Sequence, residues 1–148
     1  MQKFYTIILV PVLFITANSC SKDALKRYEE RIIGSWDLVD VDRQGFGGST
    51  SNLPFRDGRF KFEENGSLMY TDINGSVFSG SWEMDFAYNY NQDGDNETLR
   101  TLQIVAINFT TQEVRTEYFN EVWFTSTNKF RAFVRSGWRN YVFYFERR

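Results

Sequence analysis

The stretch FKFEENGSLMYTDINGSVFSGSWEM, residues 60–84, decides the fold class of this chain. Phe60 and Phe62 alternate with charged residues, and a period of two is typical of a β-strand that buries one face. Asn-Gly pairs at 65–66 and 74–75 separate the apolar segments, and Asn-Gly favours the tight type I′ turn of a β-hairpin. The stretch therefore predicts consecutive antiparallel strands.

The same pattern continues on both sides and makes residues 32–148 one predicted β domain. Strands connected by hairpins in sequence order hide their edges when the sheet closes on itself. We therefore expect an all-β fold, an eight-stranded antiparallel up-and-down barrel, with an open β-sandwich as the alternative. The predicted strands are residues 33–41, 58–63, 67–73, 76–90, 98–110, 113–125, 129–136 and 138–147.

The first 19 residues have the layout of a secretory signal peptide. Lys3 supplies a positive charge, and residues 4–14 form an apolar segment that is short of the roughly 20 residues needed to span a bilayer. A buried core segment at the N-terminus is the alternative. Residues 23–31 then predict a short helix, which would act as a spacer or cover the open end of the domain.

The chain's one cysteine, Cys20, follows this segment directly. A thiol at that place, preceded by Ser19, resembles the lipobox of bacterial lipoproteins. The resemblance implies that Cys20 becomes the first mature residue and carries acyl chains such as palmitate, which anchor the protein in the cell envelope, with the outer membrane as the expected location. Two or three acyl chains anchor stably. A lone buried or free thiol is the alternative.

Composition argues against several classes of function. The formal net charge is −2 with both signs interspersed, so we expect no nucleic-acid partner. The absence of His removes the commonest general base and the usual zinc ligand sets, and we expect no catalytic residue, metal or cofactor and no enzymatic activity. Glu113, Glu117 and Glu121 are spaced along one predicted strand, which indicates a solvated face.

Residues 31–38, RIIGSWDL, place Gly34-x-Trp36 after a short helix and at the start of the first strand. With residues 60–67 and Gly80-x-Trp82, this arrangement resembles the lipocalins and their calycin relatives, in particular small bacterial lipocalin-like lipoproteins. The resemblance implies a barrel whose closed end is plugged by Trp36. Gly34 would let the backbone pass closely. An arginine late in the chain would stack on the indole, with Arg139 taken for this role and Arg147 as the other candidate.

The chain holds 15 Phe, 8 Tyr and 4 Trp, and an eight-stranded barrel is just wide enough for side chains or for one small ligand. The resemblance implies a small apolar or amphipathic ligand inside the barrel. The alternative for every candidate contact residue is plain core, in a filled barrel that binds a protein. The candidate contact residues are Phe60, Phe62, Tyr70, Phe78, Trp82 and Met84.

Two predicted strands are apolar on both faces, although a barrel wall needs apolar residues only on its inner side. We therefore expect outward aromatic rings that are covered by the N-terminal helix, by the loop at 43–57, by a second copy or by a protein partner. The sixth strand carries Val114, Tyr118, Val122 and Phe124 on one face and Phe119 and Trp123 on the other. The eighth carries Trp138, Val142 and Tyr144 on one face and Tyr141, Phe143 and Phe145 on the other.

Overall fold

The computed structural model describes residues 27–45, 49–90, 96–137 and 139–148. The expected signal peptide, Cys20 with its lipid, the first half of the predicted helix and Trp138 lie outside the described residues.

One short helix precedes a chain of strands, with a 3-10 turn at Thr50–Asn52 between the first two. The helix, α1, spans Tyr28–Ile32. The strands are β1 Gly34–Arg43, β2 Arg59–Phe62, β3 Ser67–Thr71, β4 Val77–Tyr90, β5 Asn96–Asn108, β6 Glu113–Phe119, β7 Glu121–Ser126, β8 Lys129–Ser136 and β9 Arg139–Arg147.

All nine strands form one sheet in the order β6-β5-β4-β3-β2-β1-β9-β8-β7, and every neighbouring pair is antiparallel. The expectation of an all-β antiparallel fold with a short helix is confirmed. The expectation of eight strands closed into a barrel is wrong, because the described residues form a sheet of nine strands whose two end strands, β6 and β7, do not pair with each other.

The extra strand arises from a bend at Asn120, which divides the predicted sixth strand into β6 and β7. β6 pairs with β5, whereas β7 leaves that neighbour and pairs with β8 at the other end of the sheet. Two hydrogen bonds between Asn120 and β8 hold the bend in place. The backbone N–H of Asn120 donates to the carbonyl of Phe133 at 2.7 Å, and its Oδ1 accepts from the backbone N–H of Arg135 at 2.6 Å.

The bend also explains why the predicted sixth strand is apolar on both faces. Before the bend the buried side chains are Glu117 and Phe119, and after it they are Val122 and Phe124. The alternation therefore changes phase at Asn120, so that apolar residues from both apparent faces point to one core.

β9 is likewise less exposed than its composition indicates. Tyr141, Phe143 and Phe145 belong to the buried core. On the other face Val142 lies opposite Phe133 of β8 and both are buried, with the guanidinium of Arg135 5.0 Å from the Phe133 ring. The outer side of β9 is thus not an exposed aromatic surface.

The two hairpins of residues 60–84 form as predicted, but with a different turn. Gly66 and Gly75 have φ near +80°, whereas Asn65 and Asn74 are not in the left-handed region, so neither turn is type I′. In each turn the glycine N–H donates to a carbonyl three residues earlier, that of Glu63 at 3.1 Å in the first hairpin.

Candidate functional site

Trp36 lies in the buried core beside α1. It is fully buried, and its Nε1 donates to the carbonyl of Ile32 in α1 at 2.6 Å. The guanidinium of Arg147 lies 4.6 Å from the centre of the indole and donates from Nη2 to the carbonyls of Arg31 and Ile33. Of the two candidate arginines it is Arg147 that stacks on Trp36. Gly34 has φ +123°, a conformation that other residues rarely adopt.

Arg139 occupies a different place from the one expected. Its Nη2 lies 2.8 Å from Oε2 of Glu117, whose side chain is 5% exposed. The interpretation of Glu117 as part of a solvated carboxylate face is therefore wrong, because this carboxylate points inward and is held by an ion pair. The ion pair links β6, the strand at one edge of the sheet, to β9.

Most of the candidate ligand-contact residues in the sheet interior pack against one another. Phe60, Phe62, Tyr70 and Phe78 have no exposed surface. The Phe60 ring lies 4.6 Å from that of Tyr70, and the Tyr70 ring lies 5.4 Å from that of Phe78. These residues therefore form the core of the sheet.

Trp82 and Met84 lie at the margin of this core and are half-buried. The Trp82 ring meets that of Phe62 edge to face at 5.7 Å, and its Nε1 donates to the carbonyl of Glu63 at 3.0 Å. The indole is thus held by contacts within the protein.

A polar cluster surrounds the hydroxyl group of Tyr70. The hydroxyl of Tyr70 donates to the carbonyl of Asp57 at 3.1 Å and accepts from Nη1 of Arg115 at 3.4 Å. Burial, followed by the charge of Asp57, raises the pKa of Tyr70 to about 12, against the opposing charge of Arg115. Arg115 also pairs with Glu113 at 2.7 Å and lies over the Phe78 ring at 4.3 Å. A pocket of about 250 Å³ outside this cluster is lined mainly by polar residues.

A larger cavity, of about 550 Å³, lies where the sheet is open between β5 and β7. We call it the sheet-opening groove. α1 contributes one wall, the long β4–β5 hairpin contributes another, and β7 contributes the third. The residues that line it are Tyr28, Phe86, Tyr88, Thr98, Leu99, Arg100, Glu121, Val122 and Trp123.

Aromatic rings in this groove are exposed, unlike those of the interior. Phe86 is 47% exposed, Tyr88 66% and Trp123 58%. Tyr28 is half-buried and meets the ring of Phe124 edge to face at 5.3 Å. The exposed rings offer apolar contact area that no described part of the chain covers.

Arg100 is the unpaired cation of the groove. Its guanidinium lies 3.7 Å from the centre of the Phe86 ring and 5.2 Å from that of Tyr28. Within the described residues its Nε is buried without a hydrogen-bond partner, and no carboxylate pairs with it. The nearby Glu121 pairs instead with Arg135, at 3.1 Å. Among the described side chains, the groove therefore combines apolar rings with a positive charge that no carboxylate neutralises.

The alternation along β4 puts Phe86 and Tyr88 on the same face as Trp82, but the sequence analysis did not identify the groove. The signal it could have used is the length of β4, which spans 14 residues when a typical strand has about 5–6. A strand of that length projects past the core, so its last inward-facing rings have no core to cover them. Arg100 gave no signal, because its position opposite Phe86 depends on the register of β4 and β5.

No family model matches the chain, and neither a curated protein nor a solved structure matches it. Among the described residues no helix is long and apolar enough to cross a membrane, and no group of three or more acidic side chains could hold a metal ion.

Proposed function

We propose that this protein is a lipid-anchored binding module of the bacterial cell envelope, and that it holds an amphipathic ligand in the sheet-opening groove. The observation that carries the proposal is the contrast between two sets of rings. Those of the interior are fully buried against one another, whereas Phe86, Tyr88 and Trp123 are about half exposed or more around one unpaired arginine. Exposed apolar surface beside a fixed charge suits a ligand that has both characters.

The resemblance to lipocalin-like lipoproteins implies a ligand inside the barrel, and that site has less support. A ligand there would have to displace rings such as Phe60 and Phe78, and each displaced ring loses about 3–5 kcal/mol of packing. The groove requires no such displacement. We therefore propose that the ligand binds in the sheet-opening groove and not in the interior.

The anchor is supported by residues 1–20 and by the position of the groove. Arg27 follows Cys20 by seven residues, which span at most about 25 Å when extended. A lipid on Cys20 would keep α1, and with it Tyr28 of the groove, close to the membrane surface. Labelled palmitate should enter the full chain in a Gram-negative host and should be lost in Cys20→Ser. Equal labelling of both would refute the anchor.

Ligand binding is tested with the full chain purified in detergent, incubated with a total extract of lipids, metabolites and peptides, and examined by native mass spectrometry. We expect a stoichiometric adduct that is lost in Trp123→Ala and Arg100→Gln. Tyr118→Ala is the matched control, because Tyr118 is an exposed ring on β6 outside the groove. An adduct that survives both groove variants and disappears in Phe62→Leu would contradict the proposal and restore the interior site.

The second candidate is a module that binds a protein through exposed outer rings. Tyr118 is 47% exposed and stands just before the bend at Asn120. This role predicts that Tyr118→Ala, and not Arg100→Gln, abolishes binding. The two candidates are thus separated by the same set of variants.

A further inference from the structure

Backbone edges without partners border the sheet-opening groove. Residues 98–101 of β5 pair with β4 on one side, but pairing of β5 with β6 begins only at Leu102. β7 pairs with β8 alone. Within the described chain, therefore, both β5 and β7 present a strand edge toward the groove whose outward N–H and C=O groups have no ladder partner.

The shape of the opening follows from the bend. Leu102 and Phe119 form the last pair of β5 with β6, after which Asn120 turns the chain toward β8. Thr101, the neighbour of Leu102 in β5, is buried, and Leu99 and Trp123 line the groove beyond this last pair. Neighbouring strands in a sheet lie about 4.8 Å apart, which is the spacing at which an extended chain would pair with one of these two edges.

We propose that the groove binds an extended segment of a partner protein, which adds to the open sheet as a further strand and places an acidic side chain against Arg100. The inference rests on the proposed binding function of the groove and names its occupant. Strand addition obtains affinity from main-chain hydrogen bonds and specificity from alternate side chains.

The side walls of the groove match this occupant. Successive side chains of a strand point to opposite faces. On one face of the opening an added strand would meet Phe86 and Arg100, which lie opposite each other in β4 and β5. On the other face it would meet Trp123, which points away from the core while its neighbours Val122 and Phe124 point inward. A lipid would use the rings but not the two unpaired edges.

The test uses the full chain in detergent, panned against phage-displayed random linear dodecapeptides. We expect enriched families in which an acidic residue alternates with apolar ones. Affinity for the synthetic peptides, measured by fluorescence anisotropy, should fall at least about tenfold in Arg100→Gln, because a charge-assisted bond is lost. Arg131→Gln is the matched control, since Arg131 also lies over a ring, that of Tyr144, but outside the groove.

A second readout separates strand addition from binding by side chains alone. Each selected peptide is synthesised with N-methyl groups on alternate residues, in both phases. One phase should lose at least about tenfold in affinity and the other should keep it, because an added strand pairs through every second amide. Amide exchange at residues 98–101 or 121–124 should slow when the peptide binds. Equal binding of both phases, or unchanged exchange, would overturn strand addition.

Failure of this inference can be told from failure of the proposed function. If an extract adduct depends on Trp123 while no peptide family is enriched, the groove binds a ligand but not a strand. If neither probe binds, both proposals fail. A dimer in native mass spectrometry that the groove variants dissociate would identify a second copy as the occupant and would overturn the partner proposal.

Discussion

Arg147 lies 4.6 Å from the centre of the Trp36 ring and at the same time donates to two backbone carbonyls at the end of α1. One side chain of β9 thus contacts both β1 and the end of the helix. A guanidinium over an indole contributes about 0.5–2 kcal/mol, and a hydrogen bond made by a charged group about 1.5–3 kcal/mol. This arrangement fixes α1 against the core at Trp36.

Arg147→Gln should lower the free energy of unfolding by about 2–4 kcal/mol, because the ring contact and the carbonyl contacts are lost together. Arg148→Gln is the matched control. Arg148 is 70% exposed and makes a surface ion pair with Asp37, so its loss should cost less than about 1 kcal/mol. Urea unfolding followed by tryptophan fluorescence measures both. Equal midpoints for the two variants would contradict a structural role for Arg147.

Gly80 brings β4 and β5 together more closely than any side chain would allow. A Cβ at Gly80 would lie 1.8 Å from the carbonyl oxygen of Val105, so the strands would have to separate. Gly80→Ala should cost about 3 kcal/mol or more, in the range of severe overpacking. Gly75→Ala, where φ is +83° but no atom lies within 4 Å, should cost only about 1–2 kcal/mol. Thermal unfolding of the two variants tests this order.

The strand boundaries were predictable because period and turn residues act locally. Val77–Tyr90 and Lys129–Ser136 agree with their predicted ranges within one residue. Closure of the sheet was not predictable, because it depends on whether one long apolar strand keeps its phase. Asn120 changes that phase because it forms hydrogen bonds with Phe133 and Arg135 of β8. The sequence around Asn120 does not indicate that its partners lie more than ten residues further along the chain.

The candidate site shows the same division. Phe60, Phe62, Tyr70 and Phe78 were expected in the interior and are buried there, yet the sequence could not show whether such rings enclose space or fill it, because that depends on packing. The groove depends on where β5 stops pairing with β6, which is set by the bend. Local pattern therefore predicts which rings point inward, and long-range pairing decides which of them stay exposed.

The ion pair between the buried Glu117 and the half-exposed Arg139 should be sensitive to the loss of one partner. Arg139→Gln leaves the Glu117 carboxylate, which is 5% exposed, without its ion pair, and we expect a cost of about 2–4 kcal/mol. Changing Glu117→Gln as well removes the unpaired charge and should recover at least about half of that cost. Denaturant unfolding of both singles and the double variant measures the coupling. Additive effects would show that the two groups do not interact.

Tyr70 should titrate late and make stability fall at high pH. Burial and the charge of Asp57 raise its pKa to about 12, above the value near 10 of an unfolded chain. A raised folded pKa means that the neutral phenol is favoured in the folded state. The stabilisation is therefore complete below about pH 10 and is lost as the pH rises toward 12. Tyrosinate absorbance should show one late group that is absent in Tyr70→Phe, and the variant should lose less stability between pH 10 and 12. A parallel loss in both proteins would assign the alkaline transition to other groups.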